Sequence, residues 1–472
     1  MAVKLIINDR PIDAEKNGLT IFDYAEQVGV RVPTSCKKQG KCKECVVEVT
    51  QGAQLISPPN EFESHLPENF RLSCQTKIIA ENGEVTCHTM RAGQMRTAQS
   101  GADFSSFIVH RSAFSLDPAV RRDGDRILLD GEEIERSTGS IHGVAIDLGT
   151  TTIVVRLLNL ETGEIIAETS FENPQRFGGS DVISRIHYET AHPGNMLMRI
   201  AAGYIKHALE DFGVDLKTIY EVVIASNSAM RDLYFRLSVN TLGQNPYQSI
   251  TEIELAEGKR TNTALTATAK QALLPIHPKA RVYGMPIIRG DVGADAAACM
   301  LAVNLAREDR LVCIIDIGAN TELILGNKNR ILATSCPMVS SFEGGSISRD
   351  MPMPDGAITA SLRILFQEYG KDLSNLDYFY LTGELGGHLK TDASSRIGLI
   401  PNLPDSKIVQ IGNASLEGAC IALLSQSNRT ELESLAKRVE YCQLETHPEF
   451  SDFSVKGSQL KPLDSQKKMP HE

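Results

Sequence analysis

The sequence has no excess of positive charge and no long hydrophobic run. Its 472 residues carry 48 Lys and Arg against 59 Asp and Glu, a formal net charge of −11, which disfavours general nucleic-acid binding. No run of about eighteen apolar residues could span a bilayer, and the opening residues lack the pattern of a secretory signal. These absences predict a cytoplasmic protein that binds neither nucleic acid nor membrane.

The sequence also lacks the Gly-x-x-x-x-Gly-Lys-Ser/Thr loop, and most of its cysteines have no close partner in sequence. The missing loop excludes a nucleotide site of the P-loop class. Six of the ten cysteines are scattered singly, which suits a reducing compartment better than a disulfide framework. These six are predicted to be small buried hydrophobes: Cys87, Cys299, Cys313, Cys336, Cys420 and Cys442.

The remaining four cysteines have the spacing of an iron–sulfur site: Cys36, Cys42, Cys45 and Cys74. Five residues separate the first two and two separate the next pair, close to the plant-type spacing for a 2Fe-2S cluster. Zinc is the alternative, but zinc sites commonly use two Cys-x-x-Cys pairs, and only Cys42 and Cys45 form one. Gly40 lets the loop wrap a cluster without an obstructing side chain. We therefore predict a 2Fe-2S cluster; the longer first gap resembles ferredoxins of the adrenodoxin kind.

The segments around these cysteines resemble the β-grasp fold of 2Fe-2S ferredoxins over residues 1–90. Their order is a hairpin, a short helix capped by Thr20 and Asp23, the cysteine loop, a strand and the late cysteine. Four lysines crowd the loop: Lys37, Lys38, Lys41 and Lys43. They are either ordinary solvated side chains or a basic rim that steers an acidic redox partner to the cluster.

The chain is too long for a ferredoxin alone, and its composition changes along its length. We predict five segments: a ferredoxin domain at 1–90, a linker domain at 91–140, a first ATPase lobe with a middle region at 141–302, a second ATPase lobe at 303–454 and a polar tail at 455–472.

The basis for two lobes is an internal repeat of strand, acidic turn, strand, hairpin turn and strand. It occurs at residues 143–170, which include Asp147-Leu-Gly-Thr-Thr-Thr, and at residues 312–334, which include Asp316-Ile-Gly-Ala-Asn. Two such lobes facing each other would place Asp147 and Asp316 across a shared cleft.

A strand that ends in Asp-x-Gly has a structural explanation, because glycine permits the turn and Asp can bond nearby N–H groups. The functional explanation is phosphate binding, in which N–H groups and hydroxyls cradle the oxygens and paired carboxylates hold hydrated Mg²⁺. Two copies favour ATP binding. The predicted phosphate-contacting residues are Gly149, Thr150, Thr151, Thr152, Gly318 and Asn320.

Further glycine turns follow at 290–295, 342–345, 381–387 and 411–419. Together with the repeat they resemble the sugar kinase, heat-shock chaperone and actin superfamily. This resemblance implies RNase H-like lobes in a multidomain α+β and α/β protein, with the two Asp turns as phosphate loops and Asp147 and Asp316 as catalytic residues. It also implies that Gly383, Gly386 and Gly387 lie behind the adenosine. Asn227 is expected to be structural, with a cleft position as the alternative.

A ferredoxin domain linked to such lobes resembles the reductive activators of corrinoid-dependent methyl-transfer proteins, over nearly the whole chain. The resemblance implies that one electron passes from the 2Fe-2S cluster to a Co(II) corrinoid protein, regenerating Co(I) with the use of Mg-ATP. It also implies a homodimer, and it leaves the reductant of the cluster unidentified.

Two departures from that family leave the rate of ATP hydrolysis open. Ala319 and Thr321 flank Asn320 where Thr and Gly are common, and residues 337–341 lack the expected Ala-Gly run. A C-terminal 4Fe-4S module is not expected, since clustered cysteines are missing there. The alternatives are a ferredoxin-linked small-molecule kinase of the sugar-kinase superfamily and a non-catalytic redox scaffold.

Overall fold

The N-terminal domain, residues 2–90, is a five-stranded sheet covered by one helix. The structure is a computed structural model, and it describes residues 2–90, 115–318, 320–337, 355–383, 391–396, 400–444 and 447–450. In the N-terminal sheet the strand order is β2-β1-β5-β3-β4, with β1 and β5 parallel. Its elements are β1 (Val3–Ile7), β2 (Arg10–Ala14), α1 (Ile21–Gln27), β3 (Val46–Gln51), β4 (Phe70–Leu72) and β5 (Glu84–Thr89). The predicted capping box is confirmed, because the Asp23 N–H donates to Thr20 Oγ1 and the Thr20 N–H donates to Asp23 Oδ2.

A small antiparallel sheet follows in the part of the predicted linker that the structure describes. Its strands are β6 (Val120–Asp123), β7 (Arg126–Leu129) and β8 (Glu132–Arg136). Residues 91–114 of that predicted segment lie outside the described residues.

The first lobe is a six-stranded mixed sheet with the order β11-β10-β9-β12-β14-β13. Its strands are β9 (His142–Leu148), β10 (Thr152–Asn159), β11 (Ile165–Glu172), β12 (Ile219–Ala225), β13 (Leu265–Thr268) and β14 (Arg281–Gly284). Its helices are α2 (Val182–Ala191), α3 (Met196–Asp211), α4 (Ser228–Tyr234), α5 (Ile250–Ala256) and α6 (Ala294–Ala302).

The second lobe repeats this topology, with the order β19-β18-β15-β16-β17-β20. Its strands are β15 (Val312–Ile317), β16 (Asn320–Gly326), β17 (Ile331–Pro337), β18 (Tyr378–Thr382), β19 (Ile408–Gln410) and β20 (Glu440–Tyr441). Its helices are α7 (Asp355–Tyr369), α8 (Thr391–Arg396), α9 (Ala414–Leu424) and α10 (Gln426–Ala436). In each lobe three antiparallel strands are extended by two parallel ones, which confirms the duplicated RNase H-like lobes of the sequence prediction.

The two lobes meet where α6 packs against α9. Every residue of α9 is buried, as expected for a helix that is apolar around most of its circumference. Gly418 allows this close approach, because a Cβ there would lie 2.0 Å from the Ala298 carbonyl oxygen. None of the described helices combines the length and the apolar character needed to cross a bilayer.

Candidate functional site

The cysteine loop between α1 and β3 is wound tightly. Lys37, Lys38, Gly40 and Lys43 all have positive φ, at 53°, 65°, 76° and 60°. Glycine adopts this conformation easily, whereas lysine does so at a cost, so the loop is held by its surroundings. A Cβ at position 40 would lie 3.0 Å from Gln75 Cδ, so the side chain of Gln75 also leaves little room for a larger residue there.

This winding turns backbone N–H groups toward the sulfur atoms. N–H groups donate to the sulfurs as follows: those of Gln39 and Cys42 to Cys36, those of Ser35 and Glu44 to Cys42, and that of Gly40 to Cys74. Gln75 Nε2 also donates to Cys74 Sγ, at 3.3 Å. Such bonds stabilise thiolates, which is the form that iron requires.

The four cysteines lie in two pairs, Cys36 with Cys42 and Cys45 with Cys74. A hydrogen bond with Cys45 lowers the pKa of Cys74 to about 6 despite its burial, and the same bond together with burial raises the pKa of Cys45 well above its usual value. Among the described residues, no three His, Cys, Asp or Glu side chains are gathered as a single metal ion would need. Two pairs of thiols suit two irons with two ligands each better than one zinc ion.

One edge of this site faces solvent. Cys42, Cys45 and Cys74 are buried, whereas Cys36 is partly exposed. Lys38, one of the four loop lysines, pairs with Asp23 at 2.7 Å and with Glu26, so its charge is directed onto α1. Of the four lysines, Lys37 and Lys41 are the exposed ones.

The second site is a cleft of about 510 Å³ between the two lobes. Most of the predicted nucleotide residues line it: Asp147, Gly149, Thr150, Thr151, Thr152, Asp316, Gly318, Asn320 and Gly383. The predicted Gly386 and Gly387, like Ala319, lie outside the described residues. The repeat therefore brings both acidic turns to one cavity.

The first acidic turn is held by two asparagines from other segments. A Cβ at Gly149 would lie 2.6 Å from the Thr152 carbonyl oxygen, which explains the glycine. Asn173 Nδ2 donates to the Gly149 carbonyl oxygen at 2.7 Å, and Asn227 Nδ2 donates to Thr150 Oγ1 at 2.9 Å. Asn227 also caps α4, so it has both the structural role expected for it and the cleft position given as the alternative.

The second acidic turn is crossed closely by the strand end at Gly383. A Cβ there would lie 2.3 Å from Asp316 Oδ1 and 2.6 Å from the Ile317 carbonyl oxygen, and φ is +92°. A side chain would therefore displace the carboxylate. This contact supplies a physical reason for a glycine at position 383.

Asp147 connects the two lobes directly. Asn413 Nδ2 donates to Asp147 Oδ2 at 2.8 Å, and Ser415 Oγ donates to Asp147 Oδ1 at 3.1 Å. Asn413 and Ser415 lie at the start of α9 and belong to the second lobe. The bonds tie the start of α9 to the first acidic turn.

Further acids accumulate on the floor of the cleft. Burial and the nearby Asp316 raise the pKa of Asp295 to about 7, and burial and Asp147 raise the pKa of Asp316 to about 6. Burial, with Asp295 and Asp316 beside it, raises the pKa of Glu322 well above its usual value. Converging carboxylates of this kind fit a divalent cation such as Mg²⁺, whose charge would offset their repulsion.

This acidic cluster predicts a pH dependence of stability in the metal-free protein. Because Asp295 has a folded pKa above its unfolded one, the native state binds more protons, and stability falls as pH rises from about 4 to 7. Asp295→Asn removes that loss. The melting temperature of the variant, measured with a chelator, should exceed that of the wild type by several degrees at pH 8 and by less at pH 5. A difference independent of pH would contradict this account.

Several residues at these sites received no role from the sequence. They are Asp295, Glu322, Asn413 and Ser415. Each lies in the second copy of the repeat or in one of the glycine turns, so a polar side chain within a few residues of a glycine was the available signal. Asn173 follows β11 with no motif around it, so only the packing of the chain reveals it.

Models of one family match most of the chain. The RACo middle region matches residues 142–308, and the C-terminal domain of RACo, described as the ASKHA domain, matches residues 310–358 and 351–470. The model of the 2Fe-2S iron-sulfur cluster binding domain matches residues 5–78. An iron–sulfur domain and an ATPase-type domain therefore stand on one chain.

Two curated relatives and one solved structure are similar over large parts of the chain. The corrinoid activation enzyme RamQ of Eubacterium limosum is 26% identical over 399 residues, 76% of this chain and 64% of RamQ. The [Co(II) methylated amine-specific corrinoid protein] reductase of Methanosarcina barkeri is 23% identical over 46% of this chain and 40% of its own length. This chain thus covers less than two thirds of either relative. The structure of a reductive activator for corrinoid, iron-sulfur protein has a TM-score of 0.65 at 20% identity, covering 97% of this chain and 98% of the other, and shows the same fold.

Proposed function

This chain belongs to the RACo family, and from that membership we propose that it is an ATP-dependent reductive activator that passes one electron to a Co(II) corrinoid protein. Its relatives are named for acting on corrinoid proteins. The observation that carries the proposal is the presence of both sites on one chain: a wound loop with two cysteine pairs, and a two-lobed cleft with duplicated acidic turns.

We assign the cluster to Cys36, Cys42, Cys45 and Cys74. The N–H groups that point at these sulfurs support thiolate ligands, and the match to the 2Fe-2S domain model supports a cluster of that type. When bound, the cluster supplies a one-electron reductant. The partly exposed Cys36 marks the edge where an electron would enter from an unidentified reductant and leave for the cobalt.

We assign Mg-ATP to the cleft. The N–H groups of Thr150 and Thr151, the hydroxyls of residues 150–152 and the second turn at Gly318 and Asn320 would hold the phosphates. Asp147, Asp295 and Asp316 would hold Mg²⁺ directly or through water. The five segments predicted from composition, a homodimer and a cytoplasmic location remain part of the proposal.

ATP is needed because the electron must move uphill. A plant-type 2Fe-2S centre lies near −400 mV, and each 59 mV by which the cobalt couple lies lower costs a factor of ten in equilibrium. Reduction becomes favourable if nucleotide stabilises a state of the complex in which the cobalt accepts the electron more easily. Closure of the two lobes over the nucleotide provides such a difference between states.

The test is to mix the full chain, carrying its cluster, with a reductant, ATP and a Co(II) corrinoid protein. We expect a Co(I) absorption band that requires both the reductant and ATP, together with release of ADP. A phosphorylated small molecule without Co(I) would support the kinase alternative instead. If neither product formed, a non-catalytic scaffold would be the better description.

The lysines provide a prediction about the partner. If exposed charges beside Cys36 steer an acidic partner, Lys37→Gln with Lys41→Gln should lower the second-order rate of electron transfer and weaken its dependence on salt. Lys38→Gln is the matched control, since its charge is directed onto Asp23 and Glu26. Stopped-flow rates at several ionic strengths measure this. An unchanged salt dependence in the double variant would exclude steering.

A further inference from the structure

A short helical turn lies between the first phosphate turn and the N-terminal domain that carries the four cysteines. This coupling turn is the 3₁₀ helix Pro174–Gly178, which follows β11 and is capped by Asn173. One end contacts the first phosphate turn, and its middle contacts the N-terminal domain.

At the first end, Asn173 holds the backbone of the phosphate turn. Its side-chain Nδ2 donates to the Gly149 carbonyl oxygen at 2.7 Å, and its backbone N–H donates to the Thr151 carbonyl oxygen at 2.6 Å. Asn173 Oδ1 accepts from the Gln175 N–H at 2.9 Å, so the same side chain starts the coupling turn. These bonds fix two carbonyl groups of the phosphate turn, those of Gly149 and Thr151. A shift of this loop is therefore also a shift of the coupling turn.

In the middle of the coupling turn, two consecutive residues contact a cross-strand pair of the N-terminal domain. Arg176 Nη2 pairs with Glu48 Oε2 at 2.6 Å, and the Phe177 ring meets the Phe70 ring edge-on, with centroids 6.5 Å apart. Glu48 in β3 and Phe70 in β4 lie opposite each other in the register of the sheet. One ion pair and one aromatic contact thus fix the coupling turn to a single spot on this sheet.

That spot is close in sequence to two cluster cysteines. Glu48 follows Cys45 by three residues along β3, and Cys74 comes two residues after β4 ends. The Ser73 N–H donates to the Cys45 carbonyl oxygen at 2.8 Å, so the two segments are tied together next to the sulfurs. A displacement of β3 against β4 would reach the Cys45 and Cys74 pair directly.

The surroundings of this contact favour transmission through it. The buried residues of the N-terminal domain and the first lobe form one continuous apolar core that includes Phe70 and Phe177. Farther along this interface, beside α3, a cavity of about 470 Å³ adjoins a second contact, in which Arg199 pairs with Glu44 at 3.0 Å. Packed groups transmit a displacement, whereas a cavity absorbs it.

We propose that the coupling turn links the nucleotide site to the cluster, so that nucleotide on the first phosphate turn and the present seating of the N-terminal domain stabilise each other. The inference rests on the proposed function, because it assumes a nucleotide at residues 149–152 and a cluster at the four cysteines. The effect is reciprocal by thermodynamic linkage. If nucleotide strengthens the Arg176–Glu48 contact by a given factor, loss of that contact weakens nucleotide binding by the same factor. Arg176 and Asn173 are thereby positioning residues.

The experiment uses the full chain with its cluster and adenylyl imidodiphosphate with Mg²⁺. Two readouts are taken: the dissociation constant of the analogue, and the change it causes in the visible circular dichroism of the cluster. The variants are Glu48→Gln, Arg176→Gln and their combination. Lys4→Gln is the control, because it breaks an exposed ion pair with Glu84 inside the N-terminal domain. Glu48→Gln keeps an oxygen to accept from Asn69 Nδ2, so folding is not at risk from that contact.

We expect the analogue to change the wild-type cluster signal, and each single variant to weaken analogue binding about fivefold or more, the lower range of measured coupling. The double variant should bind no more weakly than either single one, since both remove the same contact. Asn173→Asp should also lose the cluster response, because its carboxylate would face the Gly149 carbonyl oxygen without a donor. Lys4→Gln should match the wild type.

The failure of this coupling and the failure of the proposed function can be told apart. If the wild-type cluster signal ignored the analogue and Glu48→Gln bound it normally, while ATP still drove Co(I) formation, the coupling would be refuted and the function retained. If the wild type bound no analogue, both would be refuted. Equal losses in Lys4→Gln would show a general weakening of the N-terminal domain and would also refute the coupling.

Discussion

Replacing Cys42 by serine is expected to remove the cluster and with it all electron transfer, while nucleotide binding persists. Cys42 is 2% exposed and paired with Cys36, and it receives two backbone N–H groups. A serine oxygen is a hard and weakly acidic donor that substitutes poorly for a thiolate on iron. Iron content, visible absorption and analogue affinity of the purified variant measure the outcome, with reduction of the corrinoid falling to background.

Cys87→Ser is the matched control for that variant. Cys87 is also buried, in β5 of the same sheet, and burial raises its pKa to about 12, so it is a structural thiol outside the four proposed ligands. We expect it to retain iron. Full iron in Cys42→Ser, or the loss of iron from Cys87→Ser in a folded protein, would show that the ligand assignment is wrong.

Asp147→Ala is expected to have the reverse effect, with the cluster intact and ATP-driven reduction lowered by about 100-fold or more. That magnitude is typical for the loss of one group that stabilises charge developing in a transition state. Two causes combine here: a carboxylate facing the proposed Mg²⁺ is lost, and the donors Asn413 and Ser415 lose their acceptor. The rates of ADP release and Co(I) formation report the result, and the cluster spectrum confirms that the other site is unharmed.

Asp147→Asn separates these two causes. The amide keeps the size of the side chain and an oxygen to accept from Ser415 or Asn413, but it removes the negative charge. We expect Asn to reduce activity nearly as much as Ala while losing less affinity for the analogue. Wild-type activity in Asp147→Asn would show that the carboxylate does not hold the metal. Loss of the cluster in either variant would contradict the assignment of two separate sites.

The sequence was most informative where a function is carried by neighbouring residues. The cysteine loop is one contiguous run with a late fourth ligand, so its spacing alone reports a geometry. The acidic turns were visible because the chain contains them twice, and the duplicated topology of the lobes bears out the repeat. In both cases a local backbone shape and the chemistry lie in the same few residues.

Features that depend on packing between segments could not be predicted. Lys38 belongs by its spacing to the lysines of the loop, but the carboxylates of α1 determine where its charge goes. Asp295 acquires a raised pKa because folding buries it and brings it to Asp316, 21 residues later in the chain. Asn173 illustrates the limit best: a single asparagine without a motif contacts the phosphate turn at one end and starts the coupling turn at the other.

The absence of a side chain at Gly418 gives the crossing of α6 and α9 a mechanical meaning. The two backbones are in contact there, so a relative rotation of the lobes would turn about this point. Asp295 lies on the first turn of α6, and Asn413 and Ser415 lie at the first turn of α9. These three side chains are therefore only a few residues from the crossing. A rotation of one lobe about this crossing would therefore displace Asn413 and Ser415 relative to Asp147.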